Sequence, residues 1–99
     1  MSQETLRVVA RIIALPNRVE EVKSILISIV LPTRQEKGCI NYELLQNHTN
    51  PTDFTFVEEW ETESLLEKHL ASDHIQKASS ELNNLVATPP DIRRYHLIA

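Results

Sequence analysis

Hydrophobic and polar residues change period several times along the chain, and each change marks an element. From Leu6 to Leu15 they alternate: Leu6, Val8, Ala10, Ile12 and Ala14 share one face of a strand, Arg7, Val9, Arg11, Ile13 and Leu15 the other. Both faces are substantially apolar, so the second must meet a cavity, another sheet or a partner subunit. Asn17 with Glu20 three residues on predicts a capping-box helix start, and Val19, Val22, Ile25, Leu26, Ile29 and Val30 follow at helical spacing. Pro32 removes a backbone donor and predicts a kink near Ser28; Gly38, the only glycine, supplies a left-handed stop.

Alternation returns in Cys39 to Gln46, with Ile40, Tyr42 and Leu44 facing one way and Cys39, Asn41, Glu43 and Leu45 the other. The turn-rich run Asn47 to Asp53 leads into a third strand, where Phe54, Phe56, Glu58 and Trp60 oppose Thr55, Val57 and Glu59, so an antiparallel hairpin is the simplest pairing. Thr62 caps a helix from Glu63 that places His69 on the same face as Leu65 and Leu66. Ser72 or Asp73 restarts a helix whose inward stripe is Ile75, Ala78, Ser79, Leu82, Leu85 and Val86, ended by Thr88-Pro89-Pro90. Asp91 to Ile98 is the last strand, half polar and suited to an edge or an interface. The order β-α-β-β-α(α)-β is that of an α+β, ferredoxin-like sandwich with helices on one side of an antiparallel sheet, one domain over residues 1–99.

Composition narrows the function classes. A chain of 99 residues buries only about two thirds of its unfolded surface, which favours extra burial by oligomerisation. A net charge of −4 with scattered basic residues offers no stripe for phosphates, so nucleic acid is not an expected partner. The single cysteine and an N-terminus without a leader pattern fit a cytoplasmic protein. The longest apolar run, Ile25 to Leu31, falls well short of the roughly 20 residues of a membrane span.

Trp60 and His69 are the residues best placed to share one cavity wall, against the commoner readings of a packed tryptophan and a satisfied core histidine. Glu58 and Glu59 take opposite strand faces and cannot act as one dyad. Cys39, opening a strand with no histidine beside it in sequence, reads as a small core residue. His69 and His74 stand five apart across a helix break, where a zinc helix uses four, and neither Cys39 nor His48 completes a ligand set, so no metal site is expected. A lone glycine excludes a phosphate-cradling loop.

Two stretches, Pro32-Thr-Arg-Gln-Glu-Lys-Gly38-Cys39-Ile-Asn-Tyr42-Glu-Leu44 and Phe54-Thr-Phe-Val-Glu-Glu-Trp60 followed by His69-Leu-Ala-Ser-Asp-His74, resemble the antibiotic biosynthesis monooxygenase family, which includes quinol monooxygenases. The resemblance covers nearly the whole chain. It implies a homodimer in which two sheets face each other in a dimeric α/β barrel, with a substrate cavity between sheet and helices of each subunit. It also implies oxygenation without metal, flavin or haem of a quinol, polyphenol or similar small aromatic molecule by molecular oxygen. Such a substrate must itself reduce oxygen as an anion, so the protein needs a base, an oxyanion donor and a dry pocket. His69 or His74 can serve as the base, Arg11 or Asn41 as the stabilising donor, and Trp60, Phe56 and Tyr42 as aromatic walls. Arg11 has the plainer role of pairing with Glu43 or Glu58, Asn41 of a polar residue at the dimer seam, and His74 of an exposed helix residue. The alternatives are an isomerase of a small phosphorylated or keto metabolite and a non-catalytic dimer that binds an aromatic ligand. The family's haem-degrading branch fits poorly: matching Leu-Ala-Ser-Asp puts His69 at that branch's tryptophan position and Ser79 at its iron-ligand position, and a serine hydroxyl is a poor iron ligand.

Overall fold

The structure, a computed structural model, describes residues 4–99. Eight elements follow in order: β1 (Leu6–Ile13), α1 (Val19–Ser28), α2 (Val30–Arg34), β2 (Cys39–Gln46), β3 (Asp53–Trp60), α3 (Glu63–Leu70), α4 (Asp73–Leu82) and β4 (Asp91–Tyr95). The strands form one sheet in the order β2-β3-β1-β4, every neighbouring pair antiparallel, which is the ferredoxin-like arrangement. Alternation decides the layers. Val8, Ala10 and Ile12 of β1 and Phe54, Phe56 and Trp60 of β3 are buried on the inner face, where they pack with Val22 and Leu26 of α1, Leu66 of α3 and Ala78 and Leu82 of α4.

Several boundaries differ from the sequence expectations. The Asn17–Glu20 capping box does not form: the N-cap of α1 is Arg18, without a side-chain cap, and Arg18 instead ion-pairs with Glu21 at its guanidinium. The helical run breaks at Ile29, and Pro32 occupies the first turn of α2, where its missing N–H costs nothing. Gly38 turns the chain into β2 at φ +90°, where an added Cβ would also run into Leu65.

A register irregularity between Cys39 and Asn41 re-aims the start of β2. Cys39 pairs with buried Trp60 and packs against the core, while Ile40 is left exposed; the expectation that Ile40 shares the face of Tyr42 is corrected by this bulge. The inward stripe after Ser72 is helical only to Leu82. Asn84 takes a left-handed φ of 73°, and Val86 then bridges Ala14, so Leu85 and Val86 reach the core from a turn rather than from a helix. The last strand stops at Tyr95, short of the expected Ile98, and all five of its residues are exposed, as an uncovered edge would be. Among the described residues no helix is long and apolar enough to cross a membrane.

Candidate functional site

Between the inner face of the sheet and helices α1, α3 and α4 lies a cavity of about 80 Å³. Its wall is apolar except at Tyr42, Glu58, His69 and Ser79. Strand alternation delivers three of the lining side chains: Phe56 and Glu58 two apart on β3, and Tyr42 opposite Glu58 on β2. The Tyr42 and Phe56 rings stack with centroids 4.8 Å apart. α3 delivers the fourth. Thr62 caps it as expected, its hydroxyl accepting from the Leu65 N–H at 3.1 Å, and nearly two turns on His69 points inward, buried beside Leu66.

His69 is held by a carboxylate that the sequence reading did not single out. Its Nδ1–H donates to Glu36 Oε2 over 2.7 Å, and the same oxygen accepts from His74 Nε2 over 2.9 Å. Thr33 Oγ1 stands 3.2 Å and Ser72 Oγ 3.4 Å from that His74 nitrogen. Nδ1 being engaged, His69 Nε2 is its free nitrogen, without a hydrogen-bond partner among the described residues. The imidazole is wedged between rings, 4.6 Å from Trp60 and 5.5 Å from Tyr42 by centroids. Burial pulls the His69 pKa below the ordinary imidazole value, with the Glu36 hydrogen bond opposing, so the ring is neutral at pH 7.

Glu58 is the second titrating group in the wall. It is 4% exposed, and burial pushes its pKa up to about 7, with the Trp60 hydrogen bond opposing and the Glu36 charge adding. The Trp60 indole N–H donates to Glu58 Oε1 over 2.8 Å. Trp60 itself is fully buried and does not line the cavity; it packs behind His69 and steadies Glu58, so its expected place as a wall is taken by Tyr42 and Phe56. Burial and the nearby Glu58 carboxylate raise the Tyr42 pKa, which keeps its phenol protonated.

The structure does not bring Arg11 and Asn41 to this cavity. Arg11 follows inward-facing Ala10 and therefore lies on the outer face, where it forks onto Asp53 at 3.0 and 3.1 Å and holds that carboxyl below its ordinary value. Neither Glu43 nor Glu58 is its partner. Asn41, also on the outer face, donates to Glu43 Oε1 over 3.2 Å. His74 joins the site through Glu36, with its ring centroid 6.2 Å from that of His69, and is not in the cavity wall.

Sequence spacing hid Glu36 because it sits in the turn between α2 and β2, with no periodicity to assign its direction. Glu58 was legible: it alternates with Phe54, Phe56 and Trp60, so its burial follows from theirs. With Glu36 in place, one carboxylate oxygen and two imidazole nitrogens lie within 4.8 Å of one another, a donor set that the His69–His74 spacing alone did not suggest.

The sequence and the fold agree on the relatives. Residues 5–81 match the family model for antibiotic biosynthesis monooxygenase. An uncharacterized protein of Synechocystis is 27% identical over 82 residues, 83% of this chain, and the match spans only 56% of the length of that protein. A Bacillus subtilis protein named as a candidate monooxygenase is 28% identical over 83% of this chain and 86% of its own. Among solved structures, a Pseudomonas aeruginosa protein superposes with a TM-score of 0.91 at 28% identity, covering 97% of this chain and 96% of that one. A conserved protein of Methanosarcina mazei does so at 0.87 with 32% identity, covering 94% and 92%. With the family model spanning most of the chain and the whole fold shared, this protein belongs to the antibiotic biosynthesis monooxygenase family.

Proposed function

We propose that the protein is a monooxygenase of small hydroxylated aromatic molecules, quinols or polyphenols, in which His69 is the base. The observation that carries this reading is a neutral imidazole in a largely apolar cavity, with one nitrogen fixed by Glu36 and the other free. Glu36 fixes the tautomer: a proton on Nδ1 leaves Nε2 as an acceptor, and the carboxylate stabilises the imidazolium formed when Nε2 takes a phenolic proton. The phenolate then passes an electron to molecular oxygen, and recombination forms the new carbon–oxygen bond. The substrate supplies all the electrons; one oxygen atom enters the product and the other leaves as water. Tyr42 and Phe56 supply the aromatic wall. A cavity of about 80 Å³ is smaller than the roughly 300 Å³ at the low end of ordinary ligand pockets, which favours a single-ring substrate and requires the wall to widen on binding.

The test is oxygen uptake with a panel of hydroquinones and catechols, with labelled oxygen followed into product, comparing the protein with His69→Gln. Enzyme-dependent uptake and incorporation that collapse in the variant support the reading; equal rates in both would refute it. A second reading, an isomerase that moves a proton within a small keto substrate, is favoured by Glu58, whose pKa of about 7 lets it give and take a proton in the same wall. Solvent deuterium entering the substrate under nitrogen, without oxygen uptake, would select it.

We also propose a homodimer. Val9, Tyr95 and Leu97 are exposed apolar residues beside a shallow groove on the outer face, which Val57 also lines, and a second copy is the occupant that the apolar second face of β1 calls for. Light scattering at micromolar concentration should give twice the chain mass; a monomer would overturn the dimer.

A further inference from the structure

We infer that Glu36, His69 and His74 form a binding site for a divalent first-row transition-metal ion at the back of the cavity wall. The composition, two imidazoles and one carboxylate, is that of a three-residue metal centre with open positions for water. The three ligand atoms are gathered in one place, and side-chain adjustment brings them around an ion. Glu36 Oε2 is 2.7 Å from His69 Nδ1 and 2.9 Å from His74 Nε2, and all three ligand atoms lie within 4.8 Å of one another. Bonds of about 2.0–2.1 Å place neighbouring ligand atoms about 3.0–3.4 Å apart, so the two Glu36 contacts must lengthen by about half an ångström while the two histidine nitrogens, now up to 4.8 Å apart, draw together by about 1.4 Å. His74, with a quarter of its side chain exposed, sits at the solvent edge and gives an ion a way in. Thr33 Oγ1, 3.2 Å from His74 Nε2, is placed to accept a hydrogen bond from a water on the ion.

Three separate segments meet here: the turn after α2, the end of α3 and the first turn of α4. Both imidazole nitrogens turn toward the same Glu36 oxygen, which gathers the two nitrogens and the carboxylate at one point. Proton bookkeeping is simple. The metal takes Nδ1 of His69 and Nε2 of His74, each as the lone pair of an imidazole whose proton sits on the other ring nitrogen, so Nε2 of His69 becomes an N–H. The site stands independently of the function proposed above, but one consequence rests on it: a proton on His69 Nε2 removes the base, so the ion inhibits turnover.

The experiment titrates zinc chloride into the full-length, tag-free, chelator-treated protein by calorimetry and repeats it with cobalt(II), read by its visible absorption. The inference expects one ion per chain, a cobalt band typical of nitrogen and oxygen ligands, and affinity lowered at least about tenfold in both Glu36→Gln and His74→Gln. His48→Gln and His96→Gln, with circular dichroism showing each variant folded, should bind as the parent does. Absence of saturable binding, unchanged affinity in His74→Gln, or loss in His48→Gln or His96→Gln would overturn the site. Zinc that binds through Glu36 and His74 yet leaves turnover unchanged would support the site and sink the base role of His69.

Discussion

Glu58 and Glu59 are adjacent in sequence, yet they live in different solvents. Glu58 faces the cavity, buried, bonded to the Trp60 indole and pushed up to about 7. Glu59 faces outward and binds the Thr5 hydroxyl at 2.6 Å, with the Arg7 guanidinium 3.6 Å away. The same contrast runs across the sheet: Ala10 against Arg11, Tyr42 against Asn41. A strand step of one residue thus separates groups whose protonation is set by desolvation from groups whose charges are solvated and paired. Chemistry that needs a displaced pKa has one face available, and the other is the face proposed above to meet a second copy.

The largest expected effect breaks the contrast at its centre. Replacing His69 with Gln should lower turnover by about 10²–10⁴-fold, the usual worth of a positioned base, whereas Arg11→Ala and Asn41→Ala on the outer face should leave rates within about twofold. Steady-state kinetics on one substrate checks all three, and an outer-face loss as large as that of His69 would erase the distinction between the faces.

Next comes Trp60→Ala. Removing a fully buried indole should cost about 3–5 kcal/mol in urea unfolding, through the cavity it leaves and the lost bond to Glu58. A loss under about 1 kcal/mol would mean that Trp60 is not packed as described.

Glu58→Gln sharpens the comparison through pH. The unfolded chain releases this proton near 4.5 and the folded protein near 7, so between those values the folded state binds more protons and the parent loses stability as pH rises. The penalty is absent below 4.5 and complete above 7, on the order of 3 kcal/mol. The depressed His69 value gives an opposite slope, but both proteins share it, so the difference between parent and variant isolates Glu58. Urea unfolding from pH 4 to 8 should show the variant gaining on the parent across that window; a constant difference would place the Glu58 carboxyl in water. The smallest effect is Thr62→Ala, about 1 kcal/mol from the lost cap of the helix that carries His69, read from the unfolding midpoint.

Much of the fold was legible because period is local. The inward faces of β1 and β3, the Gly38 turn and the Thr62 cap each follow from a few neighbouring residues, and the hairpin from the turn between them. What escaped was non-local. The bulge that exposes Ile40 depends on how β2 meets β3, and the pairing of Arg11 with Asp53 depends on cross-strand register. Glu36 escaped for the same reason: it acquires its partners only when the turn after α2 closes onto α3 and α4, 33 and 38 residues further along the chain. The meeting of Trp60 and His69 was legible, although the indole supports the site from behind rather than forming its wall.

The central claim is that Glu36 holds the proton of His69 on Nδ1 and leaves Nε2 as the acceptor in the cavity. Long-range proton–nitrogen NMR on nitrogen-15 histidine-labelled, metal-free protein at pH 7.5 reads the tautomer of each ring directly. The account predicts that His69 is neutral, with a protonated, pyrrole-like Nδ1 and an unprotonated, pyridine-like Nε2, and that Glu36→Gln weakens this preference. A His69 ring protonated on Nε2, or charged at this pH, would contradict it.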